Sequence, residues 1–126
     1  MITGFEDYTH ELNHEEKLMK PFVIALLSQA KKPMTNNDLI NYFDDNNIQT
    51  SAPRIRKIIH DIRVKNELPL LLSSKKGYYV SYEDKDVSLY LKSLEERIKS
   101  ISVIHYQIQK QYERFCKTRD NTSNKS

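Results

Sequence analysis

The chain has 126 residues, with 20 lysines and arginines against 17 aspartates and glutamates and a net charge of +3. Apolar residues make up 38% and only 2 residues are glycine, which suits one small domain with an appended element and argues against a turn-rich all-β fold. The start MITGFEDYTHEL does not read as a signal peptide, the longest apolar runs (Val23 to Leu27, Leu68 to Leu72) are too short for a membrane span, and Cys116 has no partner for an internal disulfide, so a reduced cytoplasmic setting is expected.

Residues 1–12 carry mixed charge with little periodicity and are expected to form a flexible N-terminus. His10-Glu11-Leu12-Asn13-His14 spells the zinc-protease pattern His-Glu-x-x-His. That chemistry needs both imidazoles on one helical turn, a third ligand and a cleft. Asn13 reads as a helix cap inside the motif and no third ligand follows at a suitable spacing, so neither a metal nor a cofactor is expected.

Asn13 with Glu16 three residues on has the form of a capping box. Leu18, Phe22, Ala25 and Leu26 then recur at helical spacing, predicting a helix to about Ala30. Pro21 either kinks this helix or marks its first turn. After Lys31-Lys32-Pro33, Thr35 with Asp38 caps a second helix of about ten residues, with Leu39, Ile40 and Phe43 on one stripe. Asp44-Asp45-Asn46-Asn47 is a turn, and Ile48 is expected to plug it into the core.

Thr50 or Ser51 caps a third helix, and Pro53 fits its first turn. Ile55, Ile58, Ile59 and Ile62 fall on one face, with Arg54, Lys57, Asp61 and Lys65 opposite. Asn66 and Pro69 end it. Leu70 to Ser73 and Tyr78 to Ser81 have strand composition on either side of Lys75-Lys76-Gly77, predicting a β-hairpin. Between Thr50 and Ser81 seven cations (Arg54, Arg56, Lys57, Arg63, Lys65, Lys75, Lys76) stand against Asp61 and Glu67, so basic charge is concentrated there. Such a cluster suits a polyanion.

Asp84 or Asp86 caps the last helix, expected over 84–116. Leu91, Ile98, His105 and Tyr112 take the a positions of a heptad, and Val87, Leu94, Ile101, Ile108 and Phe115 the d positions. This 3.5-residue period predicts a coiled-coil seam and a homodimer, parallel or antiparallel. His105 is the polar interruption: it can fix register, and its protonation would weaken a dimer that places two of them together. Residues 117–126, KTRDNTSNKS, are expected to be a disordered tail.

The fold class is therefore mainly α with a small hairpin and a long C-terminal helix. The order helix, helix, basic helix, hairpin, carried by Arg56-Lys57-Ile58-Ile59, Ile62-Arg63, Pro69-Leu70, Ser73-Ser74 and Gly77-Tyr78-Tyr79-Val80, resembles the winged helix-turn-helix family over residues 13–82. It looks most like short phage or mobile-element proteins that append a C-terminal coiled coil. The resemblance implies a non-enzymatic protein in a bacterial or phage-infected cell that binds double-stranded DNA, as a transcriptional regulator or a replication accessory factor. Carried onto this chain, it points to Thr50 and Ser51 for phosphate, and to Arg54 and Lys57 for base edges or backbone. Lys75 and Lys76 fall at the wing tip; Arg56 and Tyr78 are further contacts, and each could equally pack over the domain. On this reading Arg54→Ala and Lys57→Ala weaken DNA binding and leave the melt nearly unchanged. A second reading from another class is a protein-interaction module that recruits a partner through the coiled coil.

Overall fold

The computed structural model describes residues 11–124. Four helices and one hairpin follow in order: α1 (His14–Gln29), α2 (Asn36–Asp45), α3 (Ala52–Val64), β1 (Leu71–Ser74), β2 (Gly77–Val80) and α4 (Asp84–Asn124). The mainly helical class with a two-stranded antiparallel sheet and a long last helix is the one the sequence predicts. The chain divides into two compact units, Met1–Val87 and Ser88–Ser126.

In the first unit, local chemistry sets the starts of α1 and α2. The Asn13 side chain accepts from the Glu16 amide at 2.9 Å, and Glu16 Oε1 accepts from the Asn13 amide at 2.8 Å. Thr35 and Asp38 exchange the equivalent pair at the head of α2. Two of the four amides that every helix start leaves unpaired are thereby engaged in each case. With α1 capped at Asn13, Pro21 lies inside the helix and not in its first turn.

Helix α3 contributes the centre of the core, as its isoleucine stripe predicts. Ile55, Ile58, Ile59 and Ile62 are buried, each worth roughly 1.5–3 kcal/mol of burial. Both α1 and α2 pack on α3, and Leu39 and Phe43 fill the space from α2. The face that α1 turns inward is not the stripe of Leu18 and Phe22. Leu12, Glu16, Met19, Val23 and Leu27 are buried, while Leu18 and Phe22 are exposed. Two stripes of helical spacing run along this helix, and the winning one includes an acid. Leu12, placed by sequence in a flexible N-terminus, is part of the core; residues 1–10, including His10 of the His-Glu-x-x-His string, lie outside the described residues. Ile48 is also exposed, so it does not plug the α2–α3 turn. Asn47 there holds φ +62°, a left-handed conformation that asparagine tolerates.

The hairpin pairs Leu71 with Val80 and Ser74 with Gly77, one residue off the predicted bounds, with Lys75-Lys76 as its turn. A third strand-like residue joins it. Met34 donates to the Tyr78 carbonyl at 2.9 Å and accepts from the Tyr78 amide at 2.7 Å. The approach is so close that a Cβ at Gly77 (φ +123°) would fall 2.5 Å from the Met34 carbonyl carbon and oxygen. Only glycine fits both the dihedral and the gap.

Helix α4 starts at Asp84, and neither predicted aspartate caps it. Ser81 instead accepts from the Glu83 amide at 3.2 Å and donates to Asp86 at 2.7 Å. The helix continues through the residues expected to be a disordered tail, as far as Asn124. Local contacts extend it past Phe115: the Thr118 hydroxyl bonds the Arg114 carbonyl at 3.0 Å, and the Arg119 guanidinium lies 5.6 Å from the Phe115 ring centre.

Candidate interaction surfaces

The basic third helix is the first candidate. Two of its cations, Lys57 and Arg54, meet acids of α1. Lys57 Nζ lies 2.9 Å from Glu16 Oε1, and the two side chains are 15% and 2% exposed. Arg54 pairs with Glu15 at 3.1 Å and reaches Glu16 at 4.0 Å. One turn further along the polarity reverses: Lys20 of α1 bonds Asp61 of α3 at 3.0 Å and Glu67 at 2.7 Å, and Lys65 adds a contact to Asp61 at 3.2 Å. Burial alone would raise the Glu16 carboxyl, but the Asn13 amide, Lys57 and Arg54 together outweigh it and hold it below the ordinary value. Asp61 behaves alike, with burial overcome by Lys20 and Lys65. The Lys20 ammonium is raised, chiefly by Glu67 and then by Asp61 against the cost of burial. These groups form an interhelical charge lattice that fixes α1 on α3.

The other residues singled out by sequence fall as follows. Thr50 Oγ1 is buried and has no hydrogen-bond partner, and Ser51 precedes α3 without a side-chain cap bond. Arg56 is half-buried, and Lys75 and Lys76 are exposed on the hairpin turn. Tyr78 is buried and donates its hydroxyl to Asn36 Oδ1 at 2.7 Å. Arg63 donates to the Leu71 carbonyl at 2.9 Å and lies over the Tyr78 ring, tying α3 to the hairpin. The structure thus gathers Arg54 and Lys57 at the α1 acids, and leaves the lysine pair apart from them on the hairpin turn.

Glu16 is more than the capping residue its spacing from Asn13 suggests: it is also a buried anion held by α3. The signal was present: Leu12, Glu16, Met19, Val23 and Leu27 follow one another at steps of four, three, four and four.

A second candidate is apolar. Leu18, Met19, Phe22 and Ile48, with Glu15, Asn47 and Gln49, line an open groove of about 370 Å³ beside α1.

The third is α4. Leu91, Ile98, Ile101, Ile108, Tyr112 and Phe115 are all more than half exposed, and His105 is exposed among them; Val87 and Leu94 are half-buried. At 41 residues the helix is about 60 Å long, and its a and d positions keep one seam from Val87 to Phe115. The Tyr112 and Phe115 rings stack 6.4 Å apart at the seam's end. No helix among the described residues is long and apolar enough to cross a membrane. Among the same residues, no cluster of His, Cys, Asp or Glu is placed to hold a metal ion.

A family model described as histidine kinase matches residues 58–117, just under half of the chain. No curated protein matches, and no solved structure does. The match spans the second half of α3, the hairpin and most of α4. It overturns the resemblance to winged helix-turn-helix proteins of phages or mobile elements, and with it the reading as a double-stranded DNA-binding transcriptional regulator or replication factor. Arg54 and Lys57, two of the cations on α3, are paired with acids of the neighbouring helix, which linear charge counting cannot reveal.

Proposed function

We propose that this chain is a non-enzymatic protein-interaction module of a histidine-kinase-like signalling assembly, and that it works as a homodimer joined along α4. The observation that carries the reading is the apolar seam of α4. Nine a and d positions repeat without a break in phase, eight of them apolar or aromatic, and seven of the nine are exposed in the single chain. Such a stripe gains from knobs-into-holes packing against another helix. A second copy is the fitting occupant because a heptad seam is complementary to itself: every a and d knob on one chain has its matching holes on the other. The seam lies wholly inside the segment that matches the histidine kinase family.

The charged groups of the first unit favour a structural role over catalysis. An acid–base catalyst works best with a pKa near the operating pH. Glu16 and Asp61 are pushed below the ordinary carboxylate value, and Lys20 above the ordinary ammonium value, so all three stay charged and paired. Sedimentation equilibrium of the full chain tests the proposal. A dimer at micromolar concentration is expected, converted to monomer by Ile101→Glu. A monomer under these conditions refutes it.

A further inference from the structure

We infer that His105 makes the α4 association sensitive to pH, the paired form giving way to single chains on mild acidification; this rests on the homodimer reading above. His105 occupies an a position between Ile101 and Ile108, at the middle of the longest uncharged stretch of α4. From Ser100 to Gln109 every residue other than His105 is without formal charge. The positions one turn away on its own helix are Ile101, Ser102, Ile108 and Gln109. The nearest charged side chains in either direction, Lys99 and Lys110, are both cations. Lys110 is engaged with the Tyr106 ring and, at 3.6 Å, with Glu113. The nearest other titratable groups are the phenols of Tyr106 and Tyr112, which offer no negative charge at neutral or mildly acidic pH.

The parallel arrangement carries the conclusion. In a parallel, in-register pair, His105 faces its own copy, flanked by Ile101, Ile104 and Ile108 of the second chain. In an antiparallel pair, a positions meet d positions, which are valine, leucine, isoleucine or phenylalanine. The parallel pair brings no carboxylate to the imidazole, and an antiparallel pair does so only in the register that sets His105 against Leu94, where Glu95 is the adjoining residue. In the parallel pair protonation therefore places two cations together in an apolar seam with no counter-charge. In a separated helix the same imidazolium is exposed to water. Protons accordingly bind better to the monomer, and acid shifts the equilibrium toward it.

The test is sedimentation equilibrium of the full chain at about pH 8 and about pH 5.5, where histidine is the side chain whose charge changes. The paired carboxylates Glu16 and Asp61 of the first unit are held below the ordinary carboxylate value, so they stay charged across the range. The expected result is a dimer at the higher pH whose Kd rises at least about tenfold at the lower. His105→Asn, polar but not titratable in this range, should keep the dimer and lose the response, whereas His60→Gln should keep the response. A dimer with the same Kd at both pH values overturns this inference alone, as does a response that survives in His105→Asn. A monomer at the higher pH overturns the homodimer, and this inference with it.

Discussion

Lys57 of α3 and Glu16 of α1 share a hydrogen bond of 2.9 Å on a carboxylate that is 2% exposed. A residue that looked like a contact for an outside polyanion is thus part of the fold's own charge balance. Removing the ammonium leaves an anion in the core with only the Asn13 amide and a more distant Arg54. Lys57→Ala should therefore lower stability by about 2 kcal/mol or more, a drop in Tm on the order of 10 °C. Glu16→Gln combined with Lys57→Met should cost less than the two changes added, because no lone charge stays buried. Thermal unfolding followed by circular dichroism reads both.

The same lattice sets a pH profile. Glu16 and Asp61 have folded-state pKa values below their ordinary ones, so their contribution is present above the unfolded values and is lost as pH falls through the folded ones. Lys20 is raised, so its contribution is present below its unfolded value and is lost only as pH rises through the folded one, in strongly alkaline solution. Urea unfolding should show these terms holding between about pH 5 and pH 10, with an acid limb beginning near pH 4. Asp61→Asn should shrink that limb.

On α4, position within the heptad decides the outcome. Ile101 is a d residue and Val103 an f residue, and both are exposed in the single chain. Ile101→Glu should raise the dimer Kd by about a hundredfold or more, and Val103→Glu should leave it within about threefold. Equal effects from the two would rule out a heptad seam.

Gly77→Ala forces a methyl into the Met34 carbonyl at a dihedral that only glycine accepts. A loss of about 2 kcal/mol or more is expected, against less than about 0.5 kcal/mol for Lys76→Ala at the neighbouring exposed turn position. Chemical denaturation of both variants measures the contrast.

Along α1, Leu27→Ala should cost about 2–5 kcal/mol and Leu18→Ala less than about 1 kcal/mol, since the first side chain is buried and the second is exposed on the groove. Reversed costs would restore the stripe first read from the sequence.

Much of this architecture is written locally. The two capping boxes, the isoleucine stripe of α3, the hairpin around Lys75-Lys76 and the heptad of α4 all depend on residues within a turn or two of one another. What the sequence hid is nonlocal. The inward face of α1 could not be chosen from Leu18 and Phe22 alone, because Met19 and Val23 offer a stripe of equal spacing, and the inward stripe carries Glu16, which accepts from Lys57 of a later helix. The same nonlocal pairing engages Arg54 and Lys57, two of the cations that linear charge counting leaves open. Met34 joins the hairpin from a loop with no strand pattern, for the same reason. Helix α4 outran its predicted end because short-range contacts by Thr118 and Arg119 continue it beyond the last apolar seam residue.

The double backbone bond between Met34 and Tyr78 has a consequence for how the domain comes apart. A hairpin of two four-residue strands is marginal by itself and would be expected to fray first. Clamped to the segment that leads into α2, it can open only when that segment also lets go. Deuterium uptake at the Met34 and Tyr78 amides should therefore keep pace with the slowest amides of α3, so that the hairpin and the helices melt as one cooperative unit.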